Sequence, residues 1–190
     1  MKRAFVVALL GAESTGKTTL CAGIAEALVA RGLRVAAVTE ALREFCATHS
    51  RTPRQDEQLG IAREQVRRIA AAAQEAEIVV ADTSALMIAV YSDLVFADSS
   101  LYAFAESAQS QVDLSLLTAL DLPWQPDGLQ RDGPHVREPV DLLVRAALQR
   151  AGVPFDEVAG SGPLRLASAL ASVDRTLAAW RGRQDGAGSD

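Results

Sequence analysis

The sequence predicts an α/β fold, a five-stranded parallel sheet with helices on both faces. Three observations carry this expectation. The run Ala4-Phe5-Val6-Val7-Ala8-Leu9-Leu10 is continuously apolar and stops at Gly11, as expected of a strand buried on both faces of a parallel sheet. Lys17 to Ala30 carries Leu20, Ile24 and Leu28 at helical spacing, with Gly32 closing the segment. Further apolar runs then alternate with helical stretches along the chain, the rhythm of strands joined by crossover helices.

Taken in order, a second strand is expected at Arg34 to Thr39 and a long helix at Glu57 to Ala76. A third strand, Glu77 to Asp82, is followed by a helix at Ala85 to Phe96 and a fourth strand at Val112 to Leu117. Arg137 to Ala151 reads as a helix ending at Gly152, Val153 to Val158 as a fifth strand, and Leu164 to about Trp180 as a last helix. Ser50 to Asp56 reads as a polar linker. Pro123 to Pro139, rich in Pro, Gly, Asp and Arg, reads as a mobile lid segment. Residues 1–180 are expected to form one domain, and 181–190, without apolar residues apart from one alanine, a disordered tail.

Composition excludes several classes. No apolar run reaches the 18 or so residues that a membrane span needs. The net charge is −5 with scattered basic residues, which argues against a nucleic-acid surface. Cys21 and Cys46 lack the spacing of a metal cluster and suit a reducing cytoplasm. Only two of the 19 basic residues, Lys2 and Lys17, are lysine, so a lysine at a special position stands out. A compact ammonium fits where phosphates must be wrapped closely and the wide guanidinium fork does not.

Gly11-Ala12-Glu13-Ser14-Thr15-Gly16-Lys17-Thr18 matches G-x-x-x-x-G-K-[ST], directly after a predicted strand and at the start of a predicted helix. The glycines let successive amides point into one concavity, and the helix N-terminus adds its positive end. This is the phosphate-binding loop of a P-loop NTPase fold, with Gly11 to Thr19 as the nucleotide-binding segment. It calls for ATP and Mg²⁺: Lys17 reaches the β and γ phosphates, and the Thr18 hydroxyl ligates the metal.

Two carboxylates stand at strand ends, where ligands of such sheets bind. Asp82 suits the metal, directly or through water, and it also suits a cap on the following helix, since Asp82-Thr83-Ser84 is a good helix start. Glu40 suits a general base that accepts a proton from a substrate hydroxyl, and equally an ion pair with Arg43 or Arg34. Arg131 and Arg137 in the lid segment either close over the phosphates or belong to a solvated charged loop. Trp124 either stacks on an aromatic substrate or anchors its loop. His49 and His135 pair with nothing in the pattern.

The P-loop, Glu40-x-x-Arg43-Glu44, Gln65, Asp82-Thr83, Val112-Asp113-Leu114, and Pro123-Trp124 followed by Asp127-Gly128 occur in an order that resembles the ribosylnicotinamide kinase domain of the bacterial NadR proteins. The resemblance runs from about residue 4 to residue 175. It implies phosphorylation of the 5′-hydroxyl of nicotinamide riboside by ATP, a step of NAD salvage, on a nucleoside-monophosphate-kinase-like fold. It further implies that Glu40, Arg43, Gln65, Trp124 and Asp127 meet the acceptor, and that Lys17, Glu40, Asp82, Arg131 and Arg137 serve the transfer. NadR proteins carry an adenylyltransferase domain ahead of the kinase, so this chain is expected to be a stand-alone relative. Three positions depart from the family pattern. Ala41 stands beside Glu40 where the family has an aromatic, Ser84 replaces a second acidic residue, and Gln130 replaces an arginine with Arg131 one place later. Other acceptors, a different nucleoside or a small alcohol, and a nucleotide-gated regulatory module are the alternative readings.

Overall fold

A computed structural model describes residues 3–125 and 133–186. Five strands, β1 (Phe5–Leu10), β2 (Val35–Val38), β3 (Ile78–Asp82), β4 (Leu114–Thr118) and β5 (Phe155–Val158), form one parallel sheet in the order β2-β3-β1-β4-β5. The connecting helices are α1 (Lys17–Ala30), α2 (Ala41–His49), α3 (Gln55–Glu75), α4 (Ala85–Phe96), α5 (Tyr102–Gln109), α6 (Arg137–Arg150) and α7 (Gly162–Gly186). The α/β expectation and the five strands hold.

Side chains of a strand alternate between faces, so the fully apolar β1 feeds two cores. Phe5, Val7 and Leu9 pack with Ile78, Val80 and Leu116 under α1 and α7, where Trp180 meets Phe5 edge-on at 5.7 Å. On the other face Val6, Val79 and Ala81 meet Ile69, Ala72 and Ala73 of α3. Leu10 and Leu117 meet the cluster built by α4, α5 and α6. Of α4, residues Ala85 to Val90 are all buried because the helix is wedged among α3, α5 and α6. No helix among the described residues is long and apolar enough to cross a membrane.

The structure departs from the expectation in several places, one of them β5, which starts at Phe155 and not at Val153. Helices α2 and α5, nine and eight residues long, are absent from the sequence reading. Such short helices owe their stability to packing and show little propensity of their own. The linker read at Ser50 to Asp56 is shorter, since α3 already starts at Gln55. Strand β4 begins two residues late, and just before it Asp113 pairs with Val6 of β1 through both its amide and its side chain. Its Oδ2 accepts from the Val6 amide at 2.9 Å, and Arg3 holds its Oδ1 at 2.8 Å. Finally, α7 continues past Trp180 to Gly186, so the tail expected to be disordered from 181 is helical over its first six residues. Adding residues to a formed helix costs little when no proline intervenes.

The α2–α3 surface carries a pH-sensitive set of ion pairs. Arg51 forks onto Glu57 at 2.7 Å on both oxygens and the Arg54 amide adds a third bond at 2.8 Å, which together hold the Glu57 carboxyl at about 2 instead of 4.5. Arg67 and Arg68 do the same for Glu64, also at about 2. Both carboxyls are lowered on folding, so their contribution is complete above pH 4.5 and fades as pH falls toward about 2. Urea titrations followed by circular dichroism should show the midpoint dropping across that window. The double variant Glu57→Gln/Glu64→Gln should show a shallower drop.

Candidate active site

Between β1 and α1 the chain turns within six residues, Gly11 to Gly16. Gly11 has φ 140°, and a Cβ there would lie 2.2 Å from Thr118 Oγ1, so no other residue fits. The Thr118 hydroxyl sits 3.0 Å from the Leu10 carbonyl and 2.7 Å from the Thr15 hydroxyl, which itself donates to the Ala12 carbonyl at 2.8 Å. Ser14 adopts φ 55° and its hydroxyl bonds the Gln125 carbonyl at 2.6 Å. Gly16, at φ 77°, caps α1. The first-turn amides of α1, Lys17 to Thr19, open toward this turn without partners in the helix, the arrangement that receives phosphate oxygens. Lys17 Nζ bends back and donates to the carbonyls of Gly11 at 2.9 Å and Ala12 at 2.7 Å.

A buried arginine braces the loop from behind. Arg165 of α7 is 4% exposed and donates to the Thr15 carbonyl at 2.9 Å, the Gly160 carbonyl at 2.7 Å and Asp121 Oδ1 at 2.8 Å. Burial raises the Asp121 carboxyl, but Arg165 and the Gly160 amide outweigh it and leave the group below its ordinary value.

Register decides what faces the loop. Leu9 pairs with Asp82, which brings the end of β3 level with the end of β1. The Thr18 hydroxyl donates to Asp82 Oδ2 at 2.6 Å, while Asp82 Oδ1 is buried without a hydrogen bond among the described residues. A hydroxyl, a carboxylate with one buried oxygen unspent, and incoming phosphate oxygens form an all-oxygen set that suits Mg²⁺. No group of three or more His, Cys, Asp or Glu placed to hold a metal ion occurs among the described residues, so such an ion would rely on phosphate and water oxygens. Asp82 does not cap α4. That role falls to Ser84, whose hydroxyl accepts from the Leu86 amide at 3.1 Å and donates to Gln109 Oε1 at 2.6 Å. Ser84 thus points into the core, away from any metal duty. Between the two, Thr83 takes φ 92°, which costs of order 1–3 kcal/mol for a β-branched residue. Its hydroxyl is buried, with no hydrogen-bond partner among the described residues. Beneath them burial, with Asp82 nearby, pushes the Cys21 thiol up to about 12, so it stays protonated.

A cleft of about 660 Å³ joins these groups to Glu40 and Arg43. Its lining includes Gly11, Glu13 to Thr19, Glu40, Leu42, Arg43, Thr83, Met87, Tyr91, Leu122, Pro123 and Gln125. Glu40 precedes α2, and Arg43 approaches it at 3.6 Å. Arg34, the other pairing considered for Glu40, lies 4.0 Å from Glu77 instead. Gln65 is fully buried and does not line the cleft. Its Oε1 accepts from the Ala41 amide at 2.8 Å and so fixes the start of α2 and the direction of Glu40. Trp124 stands in the chain between the lining residues Pro123 and Gln125 but does not line the cleft itself, and its Nε1 is buried with no hydrogen-bond partner among the described residues. Arg137 is 8% exposed at the first position of α6, which contradicts the solvated-loop reading for this residue, and it does not line the cleft either. Arg131 and Asp127 lie outside the described residues.

Sequence reasoning missed Thr118, Arg165, Asp121 and the wall of Leu42, Met87 and Tyr91. A threonine closing the apolar run Leu114-Ser115-Leu116-Leu117 was the one local signal. Arg165 meets the loop from 150 positions away and left none.

Gly11→Ala places a methyl against the Thr118 hydroxyl and demands an unfavourable φ. Its melting midpoint should fall by about 4 °C or more, with nucleotide binding lost at the same time. Scanning calorimetry and a fluorescent-nucleotide titration would check both.

A family model described as AAA domain matches residues 6–165. No curated protein matches the sequence. Among solved structures, one described as the crystal structure of NadR protein in complex with NR aligns with a TM-score of 0.74 at 19% identity. The alignment covers 91% of this chain and 49% of that one, so the chain spans about half the length of its structural neighbour, and the likeness is one of fold. The family match takes in the whole stretch from β1 through the loop, Asp82 and Arg165, and the chain accordingly belongs to the AAA domain family, with the fold of a P-loop NTPase.

Proposed function

We propose that the chain is a MgATP-dependent kinase that phosphorylates the 5′-hydroxyl of nicotinamide riboside, giving nicotinamide mononucleotide. The observation that carries this reading is one cleft whose lining includes both Lys17 and Thr18 and Glu40 and Arg43. Donor and acceptor sites share a cavity, and transfer needs little more than positioning and charge stabilisation. The resemblance of the ordered motifs to ribosylnicotinamide kinase domains supplies the acceptor.

In this reading ATP phosphates replace the Gly11 and Ala12 carbonyls on Lys17 Nζ, and the amides of the loop and first turn of α1 hold the remaining oxygens. Thr18 and Asp82, directly or through water, would hold Mg²⁺, which would supply neutralising charge at the phosphates. Glu40, steadied by Arg43 and by the Gln65-anchored start of α2, accepts the acceptor's hydroxyl proton. The hydroxyl oxygen bonds to the γ-phosphorus as the bond to the bridging oxygen breaks, and ADP departs with that electron pair. Arg131 is assigned to the charge that develops during transfer. The free thiols Cys21 and Cys46 suit a cytoplasmic site of action.

A second reading keeps the kinase and changes the acceptor to another nucleoside or small alcohol. It is favoured by the wall beside Glu40, which is made by Leu42, Met87 and Tyr91 and receives no ring from position 41. Purified protein with MgATP and nicotinamide riboside should release ADP and the mononucleotide, and Lys17→Ala should slow this by about 100-fold or more. Wild-type turnover no faster than that variant would remove nicotinamide riboside. An ADP-release screen over nucleosides and small alcohols then identifies the acceptor.

A further inference from the structure

The residue after Asp82 has no part in the chemistry described so far, yet three properties converge on it. Thr83 holds φ 92°, a conformation that glycine takes freely and a β-branched residue takes under strain. It is 1% exposed, and its hydroxyl has no hydrogen-bond partner among the described residues. It also lines the cleft that Lys17, Thr18 and Glu40 share. Glycine here would relieve the strain and leave no orphaned hydroxyl, so this threonine makes the empty protein less stable on two counts.

Topology says where that hydroxyl stands. The sheet runs β2-β3-β1, so the end of β3 lies between the end of β1, which leads into the phosphate loop, and the end of β2, which leads to Glu40. A phosphoryl group passing from a nucleotide on the loop to an acceptor beside Glu40 has to cross the end of β3. The neighbouring Asp82 is an acceptor only, and repels a phosphate unless a cation stands between them. A threonine hydroxyl can donate. We propose that Thr83 Oγ1 donates a hydrogen bond to the terminal phosphate of a bound nucleoside triphosphate, so that the cleft distinguishes ATP from ADP. The inference rests on the nucleotide reading of the cleft and is independent of the acceptor's identity.

The test is calorimetric binding of MgADP and of a magnesium-bound non-hydrolysable ATP analogue to the whole chain. Thr83→Ala should bind the analogue about tenfold more weakly, as expected for a lost hydrogen bond to a charged group, with MgADP binding unchanged. Thr83→Ser should behave as wild type. Equal weakening for both nucleotides would overturn the proposal and move the hydroxyl to the β-phosphate or the hydrated cation, and no weakening for either would overturn it outright. Should Thr83→Ala fail to fold, Thr83→Gly, whose backbone takes φ 92° without strain, carries the same comparison. A wild-type chain that binds neither nucleotide would sink the kinase reading and this inference together. A wild-type chain that binds both while Thr83→Ala matches it would sink the inference alone.

Discussion

Where β1 ends, the chain has six residues in which to leave the centre of the sheet and begin α1, and the space for that turn is already occupied by the Thr118 side chain. The turn exists because residue 11 lacks a Cβ and because the Thr118 and Thr15 hydroxyls absorb the carbonyls of Leu10 and Ala12. With those acceptors satisfied from inside the loop, the amides are left to open the other way. The parallel register then does the rest. Leu10 beside Leu117 brings Thr118 to the loop, and Leu9 beside Asp82 brings the carboxylate level with Thr18. A one-residue slip in either pairing would turn the wrong face of its strand toward the loop.

Some buried polar groups of the surrounding core are used up in local networks. Ser84, Gln109 and Ser115 form a closed chain of hydrogen bonds at 2.6 and 2.9 Å, and that chain ties α4 and α5 to β4. Against that background Asp82 Oδ1 and Thr83 Oγ1 are consecutive and have no hydrogen-bond partner among the described residues, and Thr83 lines the cleft. Unbonded groups are not in themselves a mark of function. Ser92 within α4, and Trp180 Nε1 beneath the far end of β1, are buried and unbonded as well. What sets Thr83 apart is the coincidence of an unbonded hydroxyl with strained backbone and with the strand end that lies between the loop and Glu40.

The sheet was readable from the sequence because β1 and β3 are buried on both faces and therefore write unbroken apolar runs. The loop was readable because its chemistry is local: Gly11, Gly16, Lys17 and Thr18 must sit at fixed spacing to form one nest. Helix α2 was not, although Ala41, Leu42, Phe45 and Cys46 carry helical spacing, because nine residues give too short a pattern to separate from loop. Its start depends on Gln65, 24 positions away. The long helix that holds Gln65 was anticipated, but its side chain was expected to meet the acceptor and instead holds backbone. A buried glutamine and a substrate-binding glutamine look alike in sequence, and only packing tells them apart.

The two cations on the loop show why the chain writes arginine almost everywhere and lysine here. Arg165 approaches from the core and spreads its planar fork over Thr15, Gly160 and Asp121, three acceptors that belong to the protein. Such a fork is rigid, and exchanging its partners would break several bonds together. It therefore holds the loop and the turn before α7 in fixed relation. Lys17 approaches from the cleft side and holds the carbonyls of Gly11 and Ala12 with a point charge on four rotatable bonds. An ammonium can release neutral carbonyls for phosphate oxygens without moving the backbone, and it gains charge attraction in doing so. Exchanging the two residues would place the rigid fork where partners must change and the flexible charge where they must not.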